Sequence, residues 1–166
     1  MNIKQLIGEA TEYDKKQSLE AKKPKSWCKS VSAFANTLGG ALIFGIADND
    51  EVVGLENRDA EKISEIIKTR MDPIPEFRLR FEQVEDRKVL IILDIFKGEE
   101  TPYYYSGDGV LEAYVRVGNE SVKATSTELK RLVLRGRNTS YDSQISTYKV
   151  EDFAFSKLRE RYKKWT

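Results

Sequence analysis

Ala33-Phe34-Ala35-Asn36-Thr37-Leu38-Gly39-Gly40-Ala41-Leu42-Ile43-Phe44-Gly45-Ile46-Ala47 is the stretch that decides the fold. Before the paired glycines, Trp27, Val31, Phe34, Ala35 and Leu38 recur at helical spacing, which predicts a core helix. Ser26 stands in the N-cap position, after the loop Lys22-Lys23-Pro24-Lys25. Gly39-Gly40 ends the helix. After it, Ala41 to Ala47 is short, β-prone and apolar throughout, the pattern of a buried central strand. Asp48-Asn49-Asp50-Glu51 turns the chain into a second strand, Val52-Val53-Gly54-Leu55.

Working outward, Asp59 to Arg70 carries Ile63, Ile66 and Ile67 and predicts another helix, stopped by Met71-Asp72-Pro73-Ile74-Pro75. Phe77, Leu79 and Phe81 alternate with charged residues, as a half-buried strand does. Glu85-Asp86-Arg87 leads into a buried strand from Val89 to Ile95. Pro102 to Tyr105 and Ala113 to Val117 read as strands, and Gly118-Asn119-Glu120 as a tight turn. In the first of these, alternation sets Tyr104 on the face opposite Tyr103 and Tyr105. Thr125-Ser126-Thr127-Glu128 opens a third helix. Toward the N-terminus, Ile3, Leu6 and Ile7 suggest a short helix stopped by Gly8, followed by a polar stretch from Glu9 to Lys16. Val150 to Trp165 reads as a basic amphipathic helix. The expected class is α+β: a mixed β-sheet packed with about three core helices, plus that C-terminal helix.

Composition narrows the chemistry. The chain has 166 residues, the length of one ordinary domain. It has 0 histidines, which excludes a Ser-His-Asp triad, a Cys-His pair and any histidine-containing metal site. A single cysteine, Cys28, excludes an intramolecular disulfide and a thiolate-rich zinc site. No segment is apolar for long enough to span a bilayer, and the first residues lack a signal-peptide core, so the expectation is a cytoplasmic protein.

The block from Ala33 to Asp48, then Val52-Val53-Gly54-Leu55, then Ala113-Tyr114-Val115-Arg116-Val117-Gly118-Asn119-Glu120 through Thr125, resembles the Schlafen AlbA_2 family. The resemblance covers roughly residues 5 to 140 in the right order. It implies a DNA-binding domain of the kind common in bacterial transcriptional regulators, ahead of ATPase-like and winged-helix regions. Residues 1–140 would be the family domain, with 141–166 a linker and helix leading to regions outside this chain. Related Schlafen domains cleave RNA with three carboxylates and a divalent metal. That trio would fall on Glu9, Asp14 and Asp48. Hard oxygen ligands suit Mg²⁺ or Mn²⁺, and no other cofactor is implied. The nuclease pattern has Glu where this chain has Asp14, and Glu12 takes that place in a shifted register. The other reading of these acids is a solvated turn and ordinary surface charge.

Charge is unevenly distributed. Residues 121–166 carry 11 basic and 5 acidic side chains, a balance of +6 against −5 for the remainder. Such asymmetry suits one phosphate-facing surface, and the candidates are Arg116, Lys123, Lys130, Arg131, Arg135 and Arg137. Lys15, Lys16, Lys22, Lys23 and Lys25 form a second basic cluster. The sequence therefore offers three functions. The first is a nucleic-acid-binding module, DNA ahead of RNA. The second is a divalent-metal-dependent nuclease, and the third an interaction module. In the third, the aromatic stripe of the C-terminal helix pairs two copies.

Overall fold

The structure is a computed structural model that describes Ile7, residues 12–85 and residues 88–151, without the side chains of 85 and 139–151. In chain order the elements are β1 (Tyr13–Lys16), α1 (Lys25–Asn36), β2 (Gly40–Phe44), α2 (Asp59–Arg70), β3 (Met71–Asp72) and β4 (Phe77–Glu85). They continue with β5 (Lys88–Ile95), β6 (Tyr104–Tyr105), β7 (Glu112–Val117), β8 (Glu120–Lys123) and α3 (Ser126–Glu151). The class is α+β, and the strands divide between two four-stranded sheets, β1-β2-β5-β4 and β3-β6-β7-β8. Among the described residues only the β1–β2 pair is parallel, with Tyr13 opposite Ala41 and Lys16 opposite Phe44.

Helix α1 lies between the sheets. Nine of its twelve residues are buried, the signature of a helix covered on all sides. Trp27, Val31 and Phe34 join the main core with Leu42, Phe44, Ile91, Leu93 and Ile95 of the first sheet. Its polar residues face the second sheet and are satisfied there. Ser32 Oγ donates to the Tyr103 carbonyl at 2.7 Å and accepts from the Tyr114 amide at 3.0 Å. Asn36 Nδ2 donates to the Tyr103 and Tyr114 carbonyls, and its Oδ1 accepts from the Tyr103 amide at 2.7 Å. Two short side chains thus join β7 and the residue before β6 to α1. On the other face of the first sheet, Ala41, Ile43, Ile46, Leu90 and Ile92 form a second cluster, with Ile7, Tyr13 and Val84 packed on it.

The end of α1 needs a glycine. Gly39 has φ +81°, donates to the Phe34 carbonyl at 2.8 Å, and lies so near Ile95 that an added Cβ would come within 2.9 Å of its carbonyl oxygen. Because the helix stops at Asn36, Leu38 falls in the following turn and is 80% exposed, not on the core face.

Other local expectations shift. Pro24 takes the cap position of α1 with no side-chain cap, and Ser26 lies inside the first turn. The polar run ending at Lys16 contains a strand. Val52 and Leu55 form only isolated bridges, to Ile46 and Val89. Glu120 opens β8 directly after the Gly118–Asn119 turn. Helix α3 starts with a capping box: the Thr125 amide donates to Glu128 Oε1, and the Glu128 amide to Thr125 Oγ1. The polar chain past Asn138 stays helical to Glu151. Apart from Ile7, which is helical, the expected N-terminal helix lies outside the described residues, as does the expected C-terminal helix beyond Glu151. No helix among the described residues is long and apolar enough to cross a membrane.

Candidate functional site

Strand β1 sends alternate side chains to opposite faces of the first sheet. Asp14 and Lys16 point to α1, where Lys16 Nζ donates to the Ser26 carbonyl at 3.2 Å. Tyr13 packs on the second cluster, and Lys15 reaches the turn after β2, bonding the Asp48 carbonyl and the Asp50 carboxylate.

Asp14 anchors a seam between the sheets. Its Oδ2 accepts from Ser30 Oγ at 2.6 Å and from Arg116 Nη1 at 2.9 Å. Arg116 Nη1 also donates to Ser121 Oγ at 2.9 Å, and Ser121 lies 2.9 Å from Ser30. Each hydroxyl has one proton. Ser30 gives its proton to Asp14, so Ser121 gives its own to Ser30 and accepts from Arg116. The Arg116 guanidinium lies over the Phe34 ring, 4.7 Å from its centroid, and the side chain is 6% exposed. Its Nη2 lies 3.9 Å from Glu12, and neither Nε nor Nη2 has a hydrogen-bond partner among the described residues.

Beside the seam is an open cleft of about 520 Å³, lined by Lys22, Lys23, Lys25, Ser26, Lys29, Asp108, Tyr114 and Ser121. Next to it Glu112 is held by Lys25 Nζ at 2.7 Å, Lys123 Nζ at 3.1 Å and the Tyr114 hydroxyl at 3.0 Å. These donors, Lys25 foremost, pull the Glu112 carboxyl down to about 2. Glu112 in turn raises Lys25.

The expected residues fall in three places. Of the carboxylate trio, Asp14 is in the seam, Asp48 is an exposed turn residue reached by Lys15 from the opposite face of β1, and Glu9 lies outside the described residues. Among the described residues no group of three His, Cys, Asp or Glu is placed to hold a metal ion. Of the cations, Arg116 is in the seam and Lys123 is beside the cleft. Lys130, Arg131 and Arg137 are exposed on α3, and Arg135 is half-buried, donating to the Gly98 carbonyl at 3.2 Å. Sequence reasoning missed Lys29 as a cleft residue. It also missed Ser30 and Ser121, which meet across 91 positions and leave no local signal. Burial pushes the Cys28 thiol up to about 12 and leaves it a core residue.

No curated protein matches the chain. Among solved structures, the DIP2311 protein from Corynebacterium diphtheriae is similar, with a TM-score of 0.57 and 21% identity, covering 75% of this chain and 27% of that one. This chain thus spans about a quarter of that protein's length. The N-terminal domain of a RecG-related protein from Nitrosomonas europaea matches with a TM-score of 0.46 and 21% identity, covering 74% of this chain and 89% of that one. A family model described as Schlafen, AlbA_2 matches residues 9–125, from the polar run before β1 to the cap of α3. That span takes in both sheets, the helix between them and the Asp14–Arg116 seam, and so this chain belongs to the Schlafen AlbA_2 family.

Proposed function

We propose that this chain is a nucleic-acid-binding module, DNA ahead of RNA, within a bacterial transcriptional regulator, and that it grips the phosphate backbone without reading base edges. The observation that carries this is the stretch from Lys123 to Arg137, with five cations and one carboxylate. The carboxylate, Glu128, is engaged by the cap of α3. Lys130, Arg131 and Arg137 stand exposed and make no ion pair among the described residues. Lysine point charges and arginine forks suit phosphate oxygens. The regulator setting and the preference for DNA rest on family membership.

The test is fluorescence anisotropy with labelled duplex DNA, single-stranded DNA and RNA of equal length, between about 50 and 200 mM salt. Affinity is expected to fall steeply with salt. On duplex DNA, replacing Lys130, Arg131 and Arg137 with Gln lowers the log–log slope by about 0.9 for each phosphate contact removed. No binding to any strand at low ionic strength sinks the reading.

A further inference from the structure

Four lysines fall within eight residues at the start of α1, and all four, Lys22, Lys23, Lys25 and Lys29, line one cleft. The carboxylates around it are already matched. Glu112 is held by Lys25, Lys123 and Tyr114. Asp108 accepts from Arg70 at 3.1 Å and from the Tyr105 hydroxyl at 2.8 Å. Lys22, Lys23 and Lys29 are left with no anion among the described residues. Like charges gathered around one opening repel, and an anion placed among them reverses the sign of that interaction.

The walls supply a neutral donor. Ser26 has a buried hydroxyl with no hydrogen-bond partner among the described residues, an uncommon state in a folded protein. Ser121, on the facing hairpin, is fixed by Ser30 and Arg116, so that wall is preorganised. The volume of about 520 Å³ is in the range of ligand sites, which makes a free nucleotide the other source of the same chemistry.

We propose that this cleft is a phosphate-ester subsite that seats a backbone phosphate of a nucleic-acid strand; this rests on the nucleic-acid reading above. Lys22, Lys23 and Lys29 supply the charge and Ser26 a hydroxyl donor, while Ser121 shapes the facing wall. Lys25 is oriented by Glu112 and closes one side.

The test compares three full-length proteins: wild type, a cleft variant with Lys22→Gln, Lys23→Gln and Lys29→Gln, and an α3 variant with Lys130→Gln, Arg131→Gln and Arg137→Gln. Thermal melting first checks that each is folded. Anisotropy on duplex DNA then gives affinity against salt, and amide NMR follows residues 22–30 and Ser121 with an oligonucleotide, with adenosine monophosphate and with inorganic phosphate. The expected result is an oligonucleotide-dependent shift at those amides. In the cleft variant the salt slope is expected to fall by about 0.9, as the loss of the one seated phosphate requires. A cleft variant that binds like wild type, while the α3 variant loses binding, overturns the subsite and leaves the nucleic-acid reading standing. Cleft shifts with adenosine monophosphate, in a protein that binds no strand, support the phosphate-ester site and overturn the nucleic-acid reading. No shift with any of the three probes overturns the subsite.

Discussion

Arg116 takes a charge into the interior, and Asp14 is what makes that tolerable. The arginine is 6% exposed and Asp14 20%, so removing the carboxylate leaves a buried cation without its counter-ion. Asp14→Ala is expected to lower the unfolding free energy in urea by on the order of 3 kcal/mol. Asp48→Ala is expected to change it by no more than about 0.5 kcal/mol, because that residue is an exposed turn acid. The contrast bears on the carboxylate–metal alternative. Activity lost in the Asp14 variant is confounded by lost stability, whereas Asp48→Ala tests the metal chemistry on an intact fold. Glu112 gives a pH signature. Its carboxyl lies at about 2, below the ordinary 4.5, because Lys25, Lys123 and Tyr114 donate to the ionised form. A depressed carboxyl stabilises the fold fully above the unfolded value, and that contribution is lost as pH falls toward the folded one. The urea midpoint of wild type is therefore expected to drop between pH 4.5 and about 2, and Glu112→Gln to remove part of that drop.

At the level of elements, α1 shows what the sequence discloses and what it hides. Its apolar spacing places a helix against a strand, and Gly39-Gly40 marks its end. Ser30, Ser32 and Asn36 lie off that apolar stripe, yet all three are buried. The second sheet covers their face, and hydrogen bonds from Tyr103 and Tyr114 offset the desolvation. No periodicity reports such a partner, because it lies 67 positions or more along the chain. Helix α2 keeps the bounds read from sequence because propensity, apolar spacing and the following prolines agree. Strands β1 and β8 were not legible for a related reason. Asp14 and Lys16 look like solvent-facing charge until the seam and α1 supply their partners, and Ser121 looks like a turn residue until Arg116 does. The lysine run was legible as a cluster, but its cleft needs the β7–β8 hairpin as a second wall. Helix α3 offers a test of packing against propensity. Gly136 is buried in mid-helix, and a Cβ there would run into the backbone of Thr101, whose hydroxyl donates to the Leu132 carbonyl. In an exposed helix Gly→Ala stabilises by about 1 kcal/mol. Here Gly136→Ala is expected to lower the melting temperature instead, because the rigid carbonyl at Thr101 must move.

The whole molecule is nearly neutral, with a formal net charge of +1 and a pI near 7.7. Net charge therefore gives almost no long-range attraction to a polyanion, and binding must depend on where the cations sit. Lys22, Lys23 and Lys29 at the cleft, and Lys130, Arg131 and Arg137 on α3, concentrate the positive charge locally. The carboxylates near the cleft are matched within the fold. At about 0.1 M salt the Debye length is roughly 10 Å, so a strand responds to these patches and little to distant acids. The titration behaviour follows from composition. With no histidine, the chain lacks the side chain that ordinarily changes charge between pH 5 and 8, and burial pushes Cys28 up to about 12. Passing through the pI thus changes the sum of charges without changing the patches. At fixed ionic strength, affinity for duplex DNA is expected to vary by no more than about threefold between pH 6 and 9, while at fixed pH it falls by tenfold or more between about 50 and 200 mM salt. Anisotropy titrations over that grid check both halves. A tenfold loss of affinity between pH 7 and 9 at constant ionic strength would show that net charge, not the two lysine- and arginine-bearing surfaces, governs the association.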